Sequence, residues 1–175
     1  MSGHNKWSKI KNKKAATDAQ KSKIFSKLVK LIQNEAKSSG GDINSPSLKA
    51  AIEKARKANM PSDNIDRAVK KGASSDTVME TVVYEAYGPG GVAMIIDGLT
   101  DNRNKTAQEV RHILTRNGFS LAEPGSASWA FEKVGGEYQP NTMTEVSDED
   151  GEKLDGLIEE LEENDDVQEV YTNAE

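Results

Sequence analysis

The sequence predicts an α+β protein: an N-terminal three-helix bundle with a basic arm, followed by a ferredoxin-like β-α-β-β-α-β domain with one extra strand ahead of it. Three observations carry that expectation. Between positions 17 and 72 the apolar residues recur at steps of three and four, the helical period. Beyond position 80 the period changes, and runs rich in Val, Ile, Tyr and Thr alternate with two helical stretches. The charge changes with the period. Residues 1–72 carry 17 Lys or Arg against 6 Asp or Glu, and the rest carry 6 against 23. The overall charge of −6 therefore joins a basic module to an acidic one. The expected division is a mobile basic arm over 1–16, a helical domain over 17–72, a linker over 73–80 and the α+β domain over 81–175.

The elements follow in order. The arm, MSGHNKWSKIKNKKAATDAQ at its fullest, is lysine-rich with no apolar period, so it is expected to be mobile and able to order on binding. Thr17 or Asp18 caps a helix that runs to about position 37, with Ile24, Leu28, Leu31 and Ile32 on one face. Ser38-Ser39-Gly40-Gly41 stops it. Ser45-Pro46 starts a second helix with Leu48, Ala51, Ile52 and Ala55 inward. A third begins at Ser62, places Ile65, Ala68 and Val69 inward, and ends at Gly72. Residues 81–87 and 92–99 then form a hairpin across Gly88-Pro89-Gly90-Gly91, and a helix covers about 102–116, capped by Asp101. Strands over 126–134 and 137–146 flank Gly135-Gly136, a helix spans 148–163, and a strand over 167–172 closes the set.

Composition removes several function classes. No run of 18 apolar residues occurs, so no membrane helix and no membrane partner are expected. The first 23 residues lack the apolar core of a secretory signal. The absence of cysteine excludes disulfides and thiolate metal sites and suits the cytoplasm. Asp97 and Asp101 have no convergent third ligand and no nucleophile–base pair beside them, so the sequence predicts no enzyme, no cofactor, no metal centre and no small-molecule substrate. Ser2-Gly3-His4 offers a nitrogen set for Cu(II) only if Met1 is removed, and His4 reads more simply as a polar arm residue.

What remains is chemistry for a polyanion. Lys6, Lys9, Lys11, Lys13, Lys14, Lys21 and Lys23 surround Trp7, which adds a stacking plane to phosphate-binding charge. A second basic spot, Arg103 and Lys105 with Arg111 further along, lies at the start of a helix inside the acidic module. Cations there oppose the helix dipole, a locally unfavourable choice that suits a bound phosphate. Against it stands neutralisation by Asp97, Asp101 or Glu109. Gly88-Pro89-Gly90-Gly91 lacks the Lys-Ser/Thr of a phosphate loop and reads as a turn.

Several strings also resemble the YebC/PmpR family: Gly3-His4-Asn5-Lys6-Trp7 with KNKKAATDAQKSKIFSKL, then NMPSDNIDRAVKKG, YEAYGPGGVAMIIDGLTDNRN and DDVQEVYTNAE. The resemblance implies a helical domain followed by ferredoxin-like α+β domains, a cytoplasmic location and a non-enzymatic role. Members are commonly described as DNA-binding transcriptional regulators. Mitochondrial relatives act as translational activators, and bacterial ones have been tied to ribosomes stalled on proline-rich stretches. The chain departs from the family in one place. Only residues 134–138 stand where a further α+β domain is expected, between the strands matching 129–133 and 143–146.

The leading expectation is a ribosome-associated translation factor that binds RNA through the arm, with Arg103 and Lys105 on backbone phosphate. The alternatives are a DNA-binding transcriptional regulator and a protein-interaction adaptor that uses the acidic helix over 148–163. No helix carries the paired base-reading side chains expected of a sequence-specific DNA binder.

Overall fold

The structure is a computed structural model that describes residues 17–175. These fall into two compact units, 17–80 and 81–175.

The first unit is helical. Helix α1 (Asp18–Ser39) starts in a capping box: Thr17 Oγ1 accepts the Gln20 N–H at 3.1 Å, and Gln20 Oε1 accepts the Thr17 N–H at 2.8 Å. Two donors that the first turn leaves orphaned are thereby satisfied. Gly40, at φ 65°, closes the other end in the left-handed conformation that glycine adopts without strain. Helix α2 (Pro46–Lys57) opens on proline behind Ser45, and α3 (Ser62–Ala73) follows. Their shared core is Leu28, Ile32 and Ala36 of α1, Leu48, Ala51, Ile52 and Ala55 of α2, Ile65 and Ala68 of α3, and Met60 between the last two helices. Ile24, expected inward, is 45% exposed because it precedes the buried run of α1, which begins at Lys27 and Leu28.

Gly72 differs from its expected role as a stop. Helix α3 continues through it to Ala73, and Gly72 is buried. A Cβ there would stand 2.3 Å from the Gln33 carbonyl oxygen. The missing side chain lets the backbones of α1 and α3 touch.

The second unit is built on a sheet. Strands β1 (Glu80–Tyr87) and β2 (Ala93–Thr100) form the expected hairpin, with Gly90 and Gly91 at φ 77° and 78° in the turn. Helix α4 (Arg103–Arg116), β3 (Leu121–Ala122), β4 (Phe131–Val134), β5 (Glu137–Pro140), α5 (Asp148–Glu163) and β6 (Val167–Thr172) complete it. The main sheet has the order β3-β1-β2-β6. Its outer pairings are antiparallel, with Ala86 opposite Leu121 and Ile96 opposite Val170. On one face Met94 and Ile96 pack with Val110 and Leu114 of α4 and with Leu154, Leu157 and Leu161 of α5. On the other, Ala93 and Ile95 pack with Ala127, Ala130 and Phe131. Strand β2 is therefore buried on both faces, which explains its nearly continuous apolar reading.

The α+β class holds, with helices first and an antiparallel sheet with helices after. The sheet's membership differs in detail. The two strands expected across Gly135-Gly136 are short, pair only with each other as β4 and β5, and form a separate ribbon. The edge of the main sheet is β3 instead. The loop after β3 is held by Glu85, whose carboxylate accepts the backbone N–H groups of Gly125 at 2.7 Å, Ala127 at 2.9 Å and Ser128 at 2.7 Å. Those donors belong to a loop that a strand ladder would otherwise need.

Candidate nucleic-acid interface

Of the basic residues singled out in the sequence, Lys6, Trp7, Lys9, Lys11, Lys13 and Lys14 lie outside the described residues, as does His4. Lys21 and Lys23 occupy the first two turns of α1; Lys21 is exposed and Lys23 half-buried. Arg103, Lys105 and Arg111 are exposed on α4, in the second unit.

The start of α4 is fixed by a polar network. Asn102, not Asp101, is the cap, and its Oδ1 accepts the Lys105 N–H at 3.1 Å. The choice follows from the end of β2. Thr100 is fully buried, and its Oγ1 accepts the Asn102 N–H at 2.9 Å, turning that residue into the cap position. The Thr106 hydroxyl lies 2.8 Å from Thr100 Oγ1 and 2.8 Å from an Asp166 carboxylate oxygen. These groups close on one another in the interior, so the helix start cannot swing away from the sheet.

On this framework Arg103 and Lys105 do not share a side of the helix. Two residues of α-helix turn the chain by about 200°, so the cations flank the helix start from opposite directions. Lys105 reaches Glu109 at 3.7 Å, the neutralising partner that the sequence offered. Glu109 also accepts the Asn164 amide at 2.7 Å, which anchors it toward the turn before β6. The ion pair is exposed, and such pairs contribute little to stability. A phosphate displacing Glu109 from Lys105 would meet only a small opposing term.

Sequence reasoning missed an exposed aromatic pair. Trp129 is 57% exposed, yet its Nε1 donates to Tyr87 Oη at 2.9 Å, and the Tyr87 hydroxyl donates in turn to the Ser126 carbonyl. Glu85 holds the same loop from below. Burial alone would push its carboxyl up, but the three backbone donors outweigh it and hold it below its ordinary 4.5. The only sequence signal was an unpaired Trp in a Gly/Ser/Ala-rich stretch, and its partners lie some 40 residues away.

Among the described residues no group of His, Asp and Glu is arranged to hold a metal ion. None of their helices is long and apolar enough to cross a membrane.

Comparison with known proteins places these units. A family profile described as the TACO1/YebC protein N-terminal domain matches residues 5–75. A second, described as the TACO1/YebC second and third domain, matches 79–137 and 136–174, two pieces that meet at Gly136. A probable transcriptional regulatory protein of Fervidobacterium nodosum is 41% identical over 235 aligned positions, covering 99% of this chain and 93% of the relative. Because this chain has 175 residues, at least 60 of those positions face gaps in it. A protein of the same description from Kineococcus radiotolerans is 44% identical over 180 positions, covering 99% of this chain and 71% of the relative. The crystal structure of a conserved hypothetical protein from Aquifex aeolicus superposes with a TM-score of 0.81 at 33% identity, covering 97% of this chain and 96% of the other. The chain belongs to the TACO1/YebC family.

Proposed function

We propose that this protein is a non-enzymatic regulator of gene expression that binds RNA at the ribosome, in the cytoplasm. The observation that carries this reading is the concentration of charge, 17 cationic against 6 acidic side chains in the first 72 residues. Lys6, Lys9, Lys11, Lys13, Lys14, Lys21 and Lys23 contact phosphate, Trp7 stacks on a base, and Arg103, Lys105 and Arg111 make a second contact from the acidic unit. If roughly six to ten phosphates are neutralised, affinity falls about three to five decades between 50 and 200 mM salt. The relatives' description as probable transcriptional regulatory proteins supports the coarser part, control of gene expression. It also keeps DNA in play as the second reading.

Co-sedimentation with ribosomes at physiological salt, in competition with defined-sequence and scrambled DNA duplexes, separates the two. The proposal expects the chain in the ribosomal pellet and equal, weak competition by both duplexes. Sequence-selective DNA binding without ribosome association would establish the second reading instead.

A further inference from the structure

The close approach of α1 and α3 at Gly72 creates a feature that the arm does not explain. Two adjoining clefts of about 230 Å³ each lie along α1, the first between it and α3, the second between it and the segment after α3 that carries Ser75, Thr77 and Met79. They share Gln33 and Lys71. Arg67 and Asn64 line the first, and Lys30, Asn34 and Lys37 the second. No carboxylate lines either one. Two of the cations are set in place by their neighbours. Arg67 Nη2 donates to Asn64 Oδ1 at 2.7 Å, and Lys37 Nζ donates to the Ser75 carbonyl at 2.9 Å. Lys71 forms no ion pair among the described residues.

The geometry points to a track for the sugar-phosphate backbone of a single nucleic-acid strand along the α1/α3 groove. The inference rests on nucleic acid as the partner, as proposed above, and adds to it a site and a strand form. Each cleft is smaller than the roughly 300–1,000 Å³ of pockets that enclose a whole small molecule. It takes a piece of a longer chain. From Val29 to Lys37 the groove runs eight residues along α1, about 12 Å at the helical rise. That length suits two successive sugar-phosphate units in adjoining clefts. The side chains have the matching chemistry: guanidinium and ammonium groups for phosphate, and the amides of Gln33 and Asn34, which both donate and accept, for ribose hydroxyls or base edges. The first cleft is shallow and open to the surface, so the duplex arm of the test below is what separates a single strand from a double one. An acidic peptide is the competing occupant, and the oligoglutamate arm of the test below separates it.

The test is binding of a 12-nucleotide oligouridylate to the full chain across a salt series, comparing two double variants of equal charge change. Arg67→Gln/Lys71→Gln alters the groove, and Lys49→Gln/Lys57→Gln removes two exposed cations from α2. The groove pair is expected to weaken binding about tenfold at 100 mM salt and to flatten the salt slope by about 1.4, from roughly 0.7 per lost contact. The α2 pair is expected to change affinity less than about twofold by the same electrostatic reasoning. The charge-preserving Arg67→Lys/Lys71→Arg variant should restore the slope, and thermal melting checks that each variant folds. Equal effects of the groove and α2 pairs would overturn the inference. So would a duplex, or an oligoglutamate of equal charge, that binds as tightly and loses as much with the groove pair. A Lys9, Lys11, Lys13, Lys14→Gln variant separates the two proposals. If it abolishes binding while the groove pair changes nothing, the arm stands and the groove falls; the reverse result leaves the groove and removes the arm. Ribosome association without oligouridylate binding likewise preserves the proposed function and overturns the groove.

Discussion

The two units solve the same problem, a stable core from few apolar residues, in opposite ways. In the helical unit the buried core is drawn from leucine, isoleucine, alanine and one methionine, and Gly72 leaves no room for a side chain against the Gln33 backbone. Apart from Lys27, which is buried on α1, its charged side chains are left for the surface, spaced by helix geometry. In the sheet unit, buried polar groups shape the interior. Glu85 gathers a loop, Thr100 and Thr106 set the start of α4, and Asn173, 1% exposed, accepts the Ala93 N–H at 2.8 Å and donates to the Thr142 carbonyl at 2.9 Å. The contrast separates a platform that displays charge from a body that fixes loops.

The largest effect that would break this contrast is expected from Gly72→Ala. The new Cβ must push Gln33 away, forcing α1 and α3 apart at a cost of about 3 kcal/mol, the upper end of ordinary overpacking. Amide exchange resolved by segment should show lost protection over 17–80 and little change over 81–175. Uniform loss across both units would mean that they do not hold their cores independently.

Glu85→Gln should do the converse and cost about 2 kcal/mol, since a neutral amide oxygen replaces a charged acceptor of three backbone bonds. The effect carries a pH signature. Because the carboxyl is held below its ordinary 4.5, its contribution is full above that pH and lost as the pH falls further. Melting curves of the wild-type sheet unit should therefore fall more steeply below pH 4.5 than those of the variant. Parallel curves would show that Glu85 is not the group responsible.

A smaller effect sharpens the comparison from the stabilising side. Gly156 lies inside α5 with open space where a Cβ would go. Gly156→Ala should raise stability by about 0.5–1 kcal/mol, read as an upward shift in melting temperature. The same substitution thus has opposite signs in the two units, decided only by what the added carbon meets.

The same division explains how much was legible beforehand. The helical unit is written locally. The Thr17 cap, Ser45 with Pro46, and the three-and-four spacing of Leu28, Leu31 and Ile32 each act within a few residues. The sheet unit was legible as alternating strands and helices, and β2 and β6 fall close to their expected bounds. Its loop at 123–130 was not legible, because Glu85 reaches it across some 40 residues and no local pattern announces the clamp. Gly72 resembled a helix stop because a stop and a close crossing ask for the same missing side chain. The groove along α1 was hidden for a related reason: Arg67 and Lys37 come to line adjoining clefts only after the helices cross.

The proposed grip on nucleic acid rests chiefly on the basic first 72 residues, with Arg103 and Lys105 of the acidic unit adding a smaller share. The most direct measurement is the slope of log affinity against log salt for a single-stranded RNA. It should be taken on the full chain, on the Lys9, Lys11, Lys13, Lys14→Gln variant and on the Arg103→Gln/Lys105→Gln variant. The account predicts that the first variant flattens the slope by about 2.8, at roughly 0.7 per contact, and that the second flattens it by at most about half as much. An unchanged slope in the four-lysine variant, with a large loss in the Arg103/Lys105 variant, would contradict it.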